Sequence, residues 1–177
     1  MRLGLFLIIV FPLLFVSCVK DEEAMVKPEN QVEKLKKPGK FRPFKGKLVS
    51  LPAGGADLDC DCNGVPPMYL SGTGNVTHMG KVNTEGVSCS VQQPYGFSVD
   101  GCVSLIAANG DEVFSDIDPY DLFINTDCFC EANGQTQGQI VGGTGRFEDA
   151  TGQVDIIVHL DMETFEFTVT LDGQISY

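Results

Sequence analysis

The most regular pattern in the chain lies near its end. Val154, Ile156, Val158 and Leu160 recur at every second position, and so do Phe165, Phe167, Val169 and Leu171. A period of two marks a half-buried strand, because successive side chains point to opposite faces. Pairing Leu160 with Phe165, Val158 with Phe167, Ile156 with Val169 and Val154 with Leu171 places both apolar rows on one side of a hairpin. The loop is then Asp161–Thr164. Asp155, His159, Glu166, Thr168 and Thr170 face water, with His159 opposite Glu166. Asn109-Gly110 predicts a second hairpin, since this dipeptide favours the type I′ turn that matches strand twist. It would join Val103–Ala107 to Asp111–Phe114. Further alternating runs are Gly46–Leu51, Met68–Lys81, Gly86–Val91, Phe97–Ala107 and Gly138–Val141. No helix of ordinary length and no internal repeat is legible. The pattern predicts an all-β domain of eight to nine antiparallel strands, enough to close into a barrel and remove exposed edges.

The other end of the chain has a different character. After Met1-Arg2 comes an uncharged run from Leu3 to Val16. At about 1.5 Å per residue it is too short to cross a hydrocarbon core of roughly 30 Å, and it suits the apolar part of a secretory signal. Phe15-Val16-Ser17-Cys18 resembles the lipobox of bacterial lipoproteins, with Phe15 where leucine is usual. In that family the peptidase cuts before the cysteine, whose sulfur is diacylated. Several acyl chains, each contributing roughly 0.8 kcal/mol per buried methylene, hold a protein on a membrane. The resemblance therefore implies a signal peptide over 1–17 and a lipidated Cys18. Val19-Lys20-Asp21-Glu22-Glu23 is similar to the signal that places some lipoproteins of Gram-negative bacteria on the cell surface. The expected location is the outer membrane, facing outward or into the periplasm.

The net charge of −12 hides a division. Val19–Lys47 holds nine basic and five acidic residues, carries Pro28, Pro38 and Pro43, and lacks apolar periodicity. It reads as a flexible basic tether, so the expected organisation is tether over 18–47 and barrel over 48–177. Beyond Lys47 only Lys81 and Arg146 are basic, against 19 acidic residues. A domain so anionic repels phosphate backbones, which excludes nucleic acid as a partner.

Gly142-Gly143-Thr144-Gly145-Arg146-Phe147, followed by Ala150-Thr151-Gly152, resembles the glycine-rich turn before the last strands of allene oxide cyclase and dirigent-type barrels. Gly74–Lys81 and Ala107–Glu112 are similar to bacterial relatives of those barrels, and the closing Asp172–Tyr177 fits a final barrel strand. The resemblance implies an eight-stranded antiparallel barrel, trimeric in many plant members, with an apolar interior suited to a small hydrophobic ligand. It assigns no catalytic residue here. Gly142, Gly143, Gly145, Phe147 and Gly152 mark fold rather than activity.

Several residue groups are candidates for chemistry. Setting Cys18 aside leaves Cys60, Cys62, Cys89, Cys102, Cys128 and Cys130, an even number that favours disulfides in an oxidising compartment. One arrangement sets 60/62 against 128/130 and bridges Cys89 to Cys102 across their hairpin. There the strand faces conflict unless Gly101 marks a bulge. A single intervening residue is tight for zinc. Asp59, Asp61, Asn63 and Gly64 match the first half of a calcium loop. Leu70 replaces the closing glutamate, however, and Pro66-Pro67 break the following helix. A looser Ca²⁺ site, there or at Asp116, Asp118 and Asp121, is the one cofactor suggested; none is required. His78, on the face of Val76 and Val82 in a Met68–Lys81 strand, would point inward as a general base or ligand-orienting group, or sit as a satisfied core histidine. The preferred expectation is a non-catalytic barrel that binds a small apolar or amphipathic ligand or serves as an accessory surface module. The alternatives are an isomerase or cyclase acting in the cavity, and an adhesion or assembly protein. Association into a homo-oligomer is also an expectation.

Overall fold

The computed structural model describes residues 39–55, 58 and 60–177, so the signal segment, Cys18, most of the tether and Asp59 lie outside the described residues. Eight strands follow in order: β1 (Arg42–Pro52), β2 (Pro67–Val76), β3 (Gly80–Gln93), β4 (Gly96–Ala107), β5 (Glu112–Ile124), β6 (Glu131–Gly143), β7 (Thr151–Asp161) and β8 (Phe167–Ser176). Each pairs antiparallel with its sequence neighbours, and β1 pairs with β8 to close the barrel.

Alternation sorts the side chains. Phe44 and Leu48 on β1, Val82 and Thr84 on β3, Val154, Ile156, Val158 and Leu160 on β7 and Leu171 and Ile175 on β8 point inward and are buried. The barrel begins inside the segment expected to be tether. In β1 Lys45 and Lys47 face water while Phe44 and Leu48 alternate with them inward, so a lysine-rich stretch is a half-buried strand.

Two further expectations are corrected. The run Met68–Lys81 is not one strand: it breaks at a turn over Thr77–Met79, where His78 (φ 67) and Gly80 (φ 74) take left-handed backbone. Thr77 pins this turn to β1, its hydroxyl donating to the Pro43 carbonyl at 3.0 Å and accepting from the Lys45 N–H at 2.9 Å. The last hairpin pairs Leu160 with Phe167, Val158 with Val169 and Ile156 with Leu171, two residues away from the expected register. Asp161 Oδ1 accepts the N–H groups of Glu163 and Thr164 at 2.8 and 2.9 Å, and Phe165 sits at φ 56, so the loop takes up two more residues. The hydrogen bonds from Thr164 and Glu163 also hold the Asp161 carboxyl below its ordinary pKa. A shift of two preserves the faces, and the apolar rows still meet inside. His159 accordingly lies opposite Thr168 rather than Glu166, with Nδ1 2.9 Å from Asn133 Oδ1 and 3.8 Å from Glu131 Oε2.

Strand β5 carries a feature that the sequence reading did not address. Its alternation is interrupted: Val99 pairs with Tyr120 and Gly101 with Ile117, so Asp118 and Pro119 together oppose the single residue Asp100. Proline has no N–H for the ladder, and a bulge accommodates it. Val113, Ser115 and Ile117 face inward before the bulge, and Tyr120, Leu122 and Ile124 after it. The bulge therefore lies opposite the stretch around Gly101, on the neighbouring strand. Between β3 and β4 the register is continuous, and Cys89 and Cys102 both face outward. The expected conflict arose from taking Val87 and Cys89 as an interior row.

The disulfides follow from that geometry. Cys60 bonds Cys102 and Cys62 bonds Cys89, pinning the β1–β2 connection to the outer wall of β3 and β4; Cys128 bonds Cys130 within the β5–β6 loop. All six cysteines are paired, in a different arrangement from the expected one. With Cys62–Cys89 in place, the Cys60–Cys102 bond closes only a short additional loop, which contributes about 3 kcal/mol, the value for roughly 15 residues. Peptide mapping under non-reducing conditions should return these three pairs. Denaturant unfolding of the double variant Cys60→Ser, Cys102→Ser should show a loss of about that size.

Candidate binding cavity in the barrel interior

An eight-stranded barrel is just wide enough for its inward side chains to fill, or to hold one small ligand. Here residues from all eight strands leave a cavity of about 90 Å³. Leu48, Leu105, Val113, Ile156, Phe167 and Leu171 give it a mainly apolar wall. Hydroxyls interrupt that wall at Ser50, Thr84, Ser88, Ser115 and Tyr120. Ser88 Oγ lies 3.0 Å from Ser90 Oγ, and Ser115 Oγ donates to the Asp116 carbonyl at 3.4 Å. The hydroxyls of Ser50, Thr84 and Tyr120 have no protein hydrogen-bond partner among the described residues, and no side-chain polar atom is left both sealed from solvent and unpaired. These three hydroxyls therefore present their hydrogen-bonding capacity to the cavity.

Burial pushes the Tyr120 phenol up to about 12. At neutral pH it is a neutral O–H that donates and accepts, not a base. Asp100 borders the cavity, but it pairs with Cys89 on the outward face of β3 and β4, and its Oδ1 accepts the Gly101 N–H at 2.7 Å. No histidine, lysine, arginine or glutamate lines the cavity among the described residues.

The glycine-rich motif closes one end. Thr144 donates its N–H to the Glu112 carbonyl and accepts the Glu112 N–H on its hydroxyl, both at 3.0 Å. A Cβ at Gly143 would run into that same carbonyl, and Gly145 (φ 58) turns the chain into a 3-10 turn, Gly145–Phe147. The turn drives Phe147 into the barrel end, where it is fully buried and meets the Tyr177 ring edge-on at 4.8 Å. Arg146 lies over the Phe147 ring at 4.7 Å, pairs with Asp111 at 3.3 Å and donates to the His78 carbonyl at 2.7 Å. The opposite rim is looser. Met68, Phe97, Ile124 and Met162 are only partly buried there.

His78 is thus not an interior residue. It is exposed in the β2–β3 turn at the closed end, with its ring 6.2 Å from that of Tyr177. The left-handed turn breaks the alternation that would have carried it inward. Asp61 Oδ1 accepts the Asn63 N–H at 2.8 Å, and Asn63 (φ 49) and Gly64 (φ 84) complete a tight acidic turn. Among the described residues no three histidine, cysteine, aspartate or glutamate side chains are grouped to hold a metal ion; Asp116, Asp118 and Asp121 are exposed along β5. Sequence reasoning missed Ser50, Thr84 and Tyr120. The signal for Tyr120 was Pro119, a proline inside a strand.

No protein-family model matches the chain, and no curated protein matches it. Among solved structures it is similar to the pterocarpan synthase dirigent protein PsPTS1, with 13% sequence identity over 80% of this chain and 98% of that one and a TM-score of 0.51. It is also similar to the pterocarpan synthase dirigent protein GePTS1, with 16% identity over 78% of this chain and 91% of that one and a TM-score of 0.48. The PsPTS1 likeness is one of fold: the closed eight-stranded barrel is dirigent-like.

The burial of Tyr120 is open to a direct test. Its pKa is raised from 10.0 to about 12 in the folded protein. The unfolded chain therefore ionises first, and this group's contribution to stability is complete below pH 10 and lost as pH climbs toward 12. Urea unfolding at a series of alkaline pH values should show wild type losing about 2–3 kcal/mol more than Tyr120→Phe across that range. Parallel profiles would contradict a buried phenol.

Proposed function

We propose that this chain is an exported, lipid-anchored barrel that binds the slender end of a small apolar or amphipathic ligand without altering it covalently. The observation that carries the reading is the set of partnerless hydroxyls, Ser50, Thr84 and Tyr120, around an otherwise apolar cavity. Each lines the cavity with no protein partner yet is not sealed off, so each is free to hydrogen-bond a polar group of a ligand placed there. Size narrows the ligand. Drug-sized ligands occupy pockets of roughly 300–1,000 Å³, and an engineered cavity of about 150 Å³ holds benzene. At about 90 Å³ the interior admits an alkyl terminus or a comparably narrow group, with one hydrogen-bonding function reaching a hydroxyl. The rival reading, an isomerase or cyclase, needs a group that moves a proton at neutral pH. The wall offers a phenol held neutral and a carboxylate engaged with backbone, which supports binding over catalysis. The sequence around Cys18 supports delivery of the barrel to a membrane surface.

The test uses hexan-1-ol against hexane, read from methyl chemical shifts of Val99, Leu105 and Val113. Hexanol should produce saturable shifts. Thr84→Val and Tyr120→Phe should weaken hexanol by about fivefold while leaving hexane unchanged. At Gly86 a Cβ would meet its nearest neighbours only at 3.6 Å or more. Gly86→Ala should therefore stabilise the fold by about 0.4–1 kcal/mol while filling part of the cavity and reducing binding of both probes. Absence of saturable shifts with either probe would overturn the reading.

The anchor is tested separately by labelled palmitate in a bacterium that processes lipoproteins. Label and membrane association should both vanish in Cys18→Ala. Unlabelled wild type would refute lipidation.

A further inference from the structure

The outer face of the barrel carries a second concavity, unrelated to the interior. Across β6, β7 and β8 an open cleft of about 580 Å³ is lined by Gln137, Gln139, Gln153, Gln174 and Asp155, with Phe41 at its edge. The register explains the gathering. Gln139 pairs with Gln153 and Gln153 with Gln174, making one cross-strand row of amides. Beside it Gln137 pairs with Asp155, Asp155 with Asp172, and Asp172 with Lys45 of β1.

Two features set this face apart from an ordinary solvated sheet. First, Asp155 and Asp172 stand directly opposite each other, and like charges in that position destabilise a sheet. The cost is offset on both sides, by Gln137 Nε2 donating to Asp155 at 2.8 Å and by Lys45 pairing with Asp172 at 2.9 Å. Second, the amides are held in place. Gln153 Nε2 donates to Gln137 Oε1 at 2.8 Å, so Gln153, Gln137 and Asp155 form a fixed chain with donor and acceptor capacity to spare. Gln139 and Gln174 have no side-chain hydrogen bond among the described residues. Phe41 leaves 55% of its surface exposed beside them.

We propose that this face binds a neutral polyhydroxylated ligand, a glycan segment. Vicinal hydroxyls each donate and accept, and planar amides beside a carboxylate offer both functions at fixed spacing. The apolar C–H face of a sugar ring rests on an exposed aromatic such as Phe41. The surrounding domain is strongly acidic, which disfavours anionic ligands and leaves neutral ones unaffected. This inference does not depend on the interior cavity.

The experiment is calorimetric titration of the mature protein with four neutral oligosaccharides: cellohexaose, maltohexaose, mannohexaose and N-acetylchitohexaose. At least one should bind. Its affinity should be unchanged between low and high salt and unchanged in Tyr120→Phe. Gln137→Ala, Gln153→Ala and Phe41→Ala, all exposed positions with folding checked by circular dichroism, should each weaken it by about five- to tenfold. Failure of all four sugars to bind would overturn the proposal. So would binding that the three variants leave intact, or binding that collapses with salt.

Discussion

The ladder between β1 and β8 is the constraint on which the remainder of the structure rests. It runs from Arg42 opposite Ile175 to Ser50 opposite Phe167 and joins strands separated by most of the domain's length. Without it the other strands would form an open sheet with two unpaired edges, and the apolar side would lie against solvent. With it every side chain is assigned inside or outside by the parity of its position. That assignment places hydroxyls in the interior and excludes nearly every charge from it. It also gives the bulge at Asp118-Pro119 its importance. One extra residue reverses parity on β5 and carries Tyr120, rather than its neighbours, into the cavity.

The two faces of the wall serve different chemistry. Inside is a small, mainly apolar space bordered by hydroxyls without protein partners. Outside, amides and carboxylates stand in cross-strand rows, including an aspartate pair that a sheet built for stability alone would avoid. The wall of the barrel separates Thr84 and Tyr120, which line the interior, from Gln153 and Phe41, which line the outer cleft.

The ends differ as well. At one, Phe147 is pressed into the barrel by the glycine-rich turn and held by Arg146 and Tyr177, so the motif that most resembles other barrels is a closure device. At the other, apolar side chains are only partly buried. Close by, the β1–β2 connection is stitched to the outer wall by two disulfides, which stabilise a long loop that carries little apolar surface of its own.

The sequence by itself determined the class of the fold. Period-two alternation in Val154–Leu160 and Phe165–Leu171, the Asn109-Gly110 turn and the glycine-rich motif are local signals, and local backbone preference decides each of them. The even number of cysteines in the domain favoured disulfides, which the structure bears out. Only the tertiary structure decided the partners of those cysteines, the register of the final hairpin, the exile of His78 to a turn and the inward turn of Tyr120. Each depends on where one residue takes left-handed backbone, or where one strand holds one residue too many. Parity along a strand is readable from sequence only until such a point, and beyond it the closed ladder alone says which side of the wall a residue occupies.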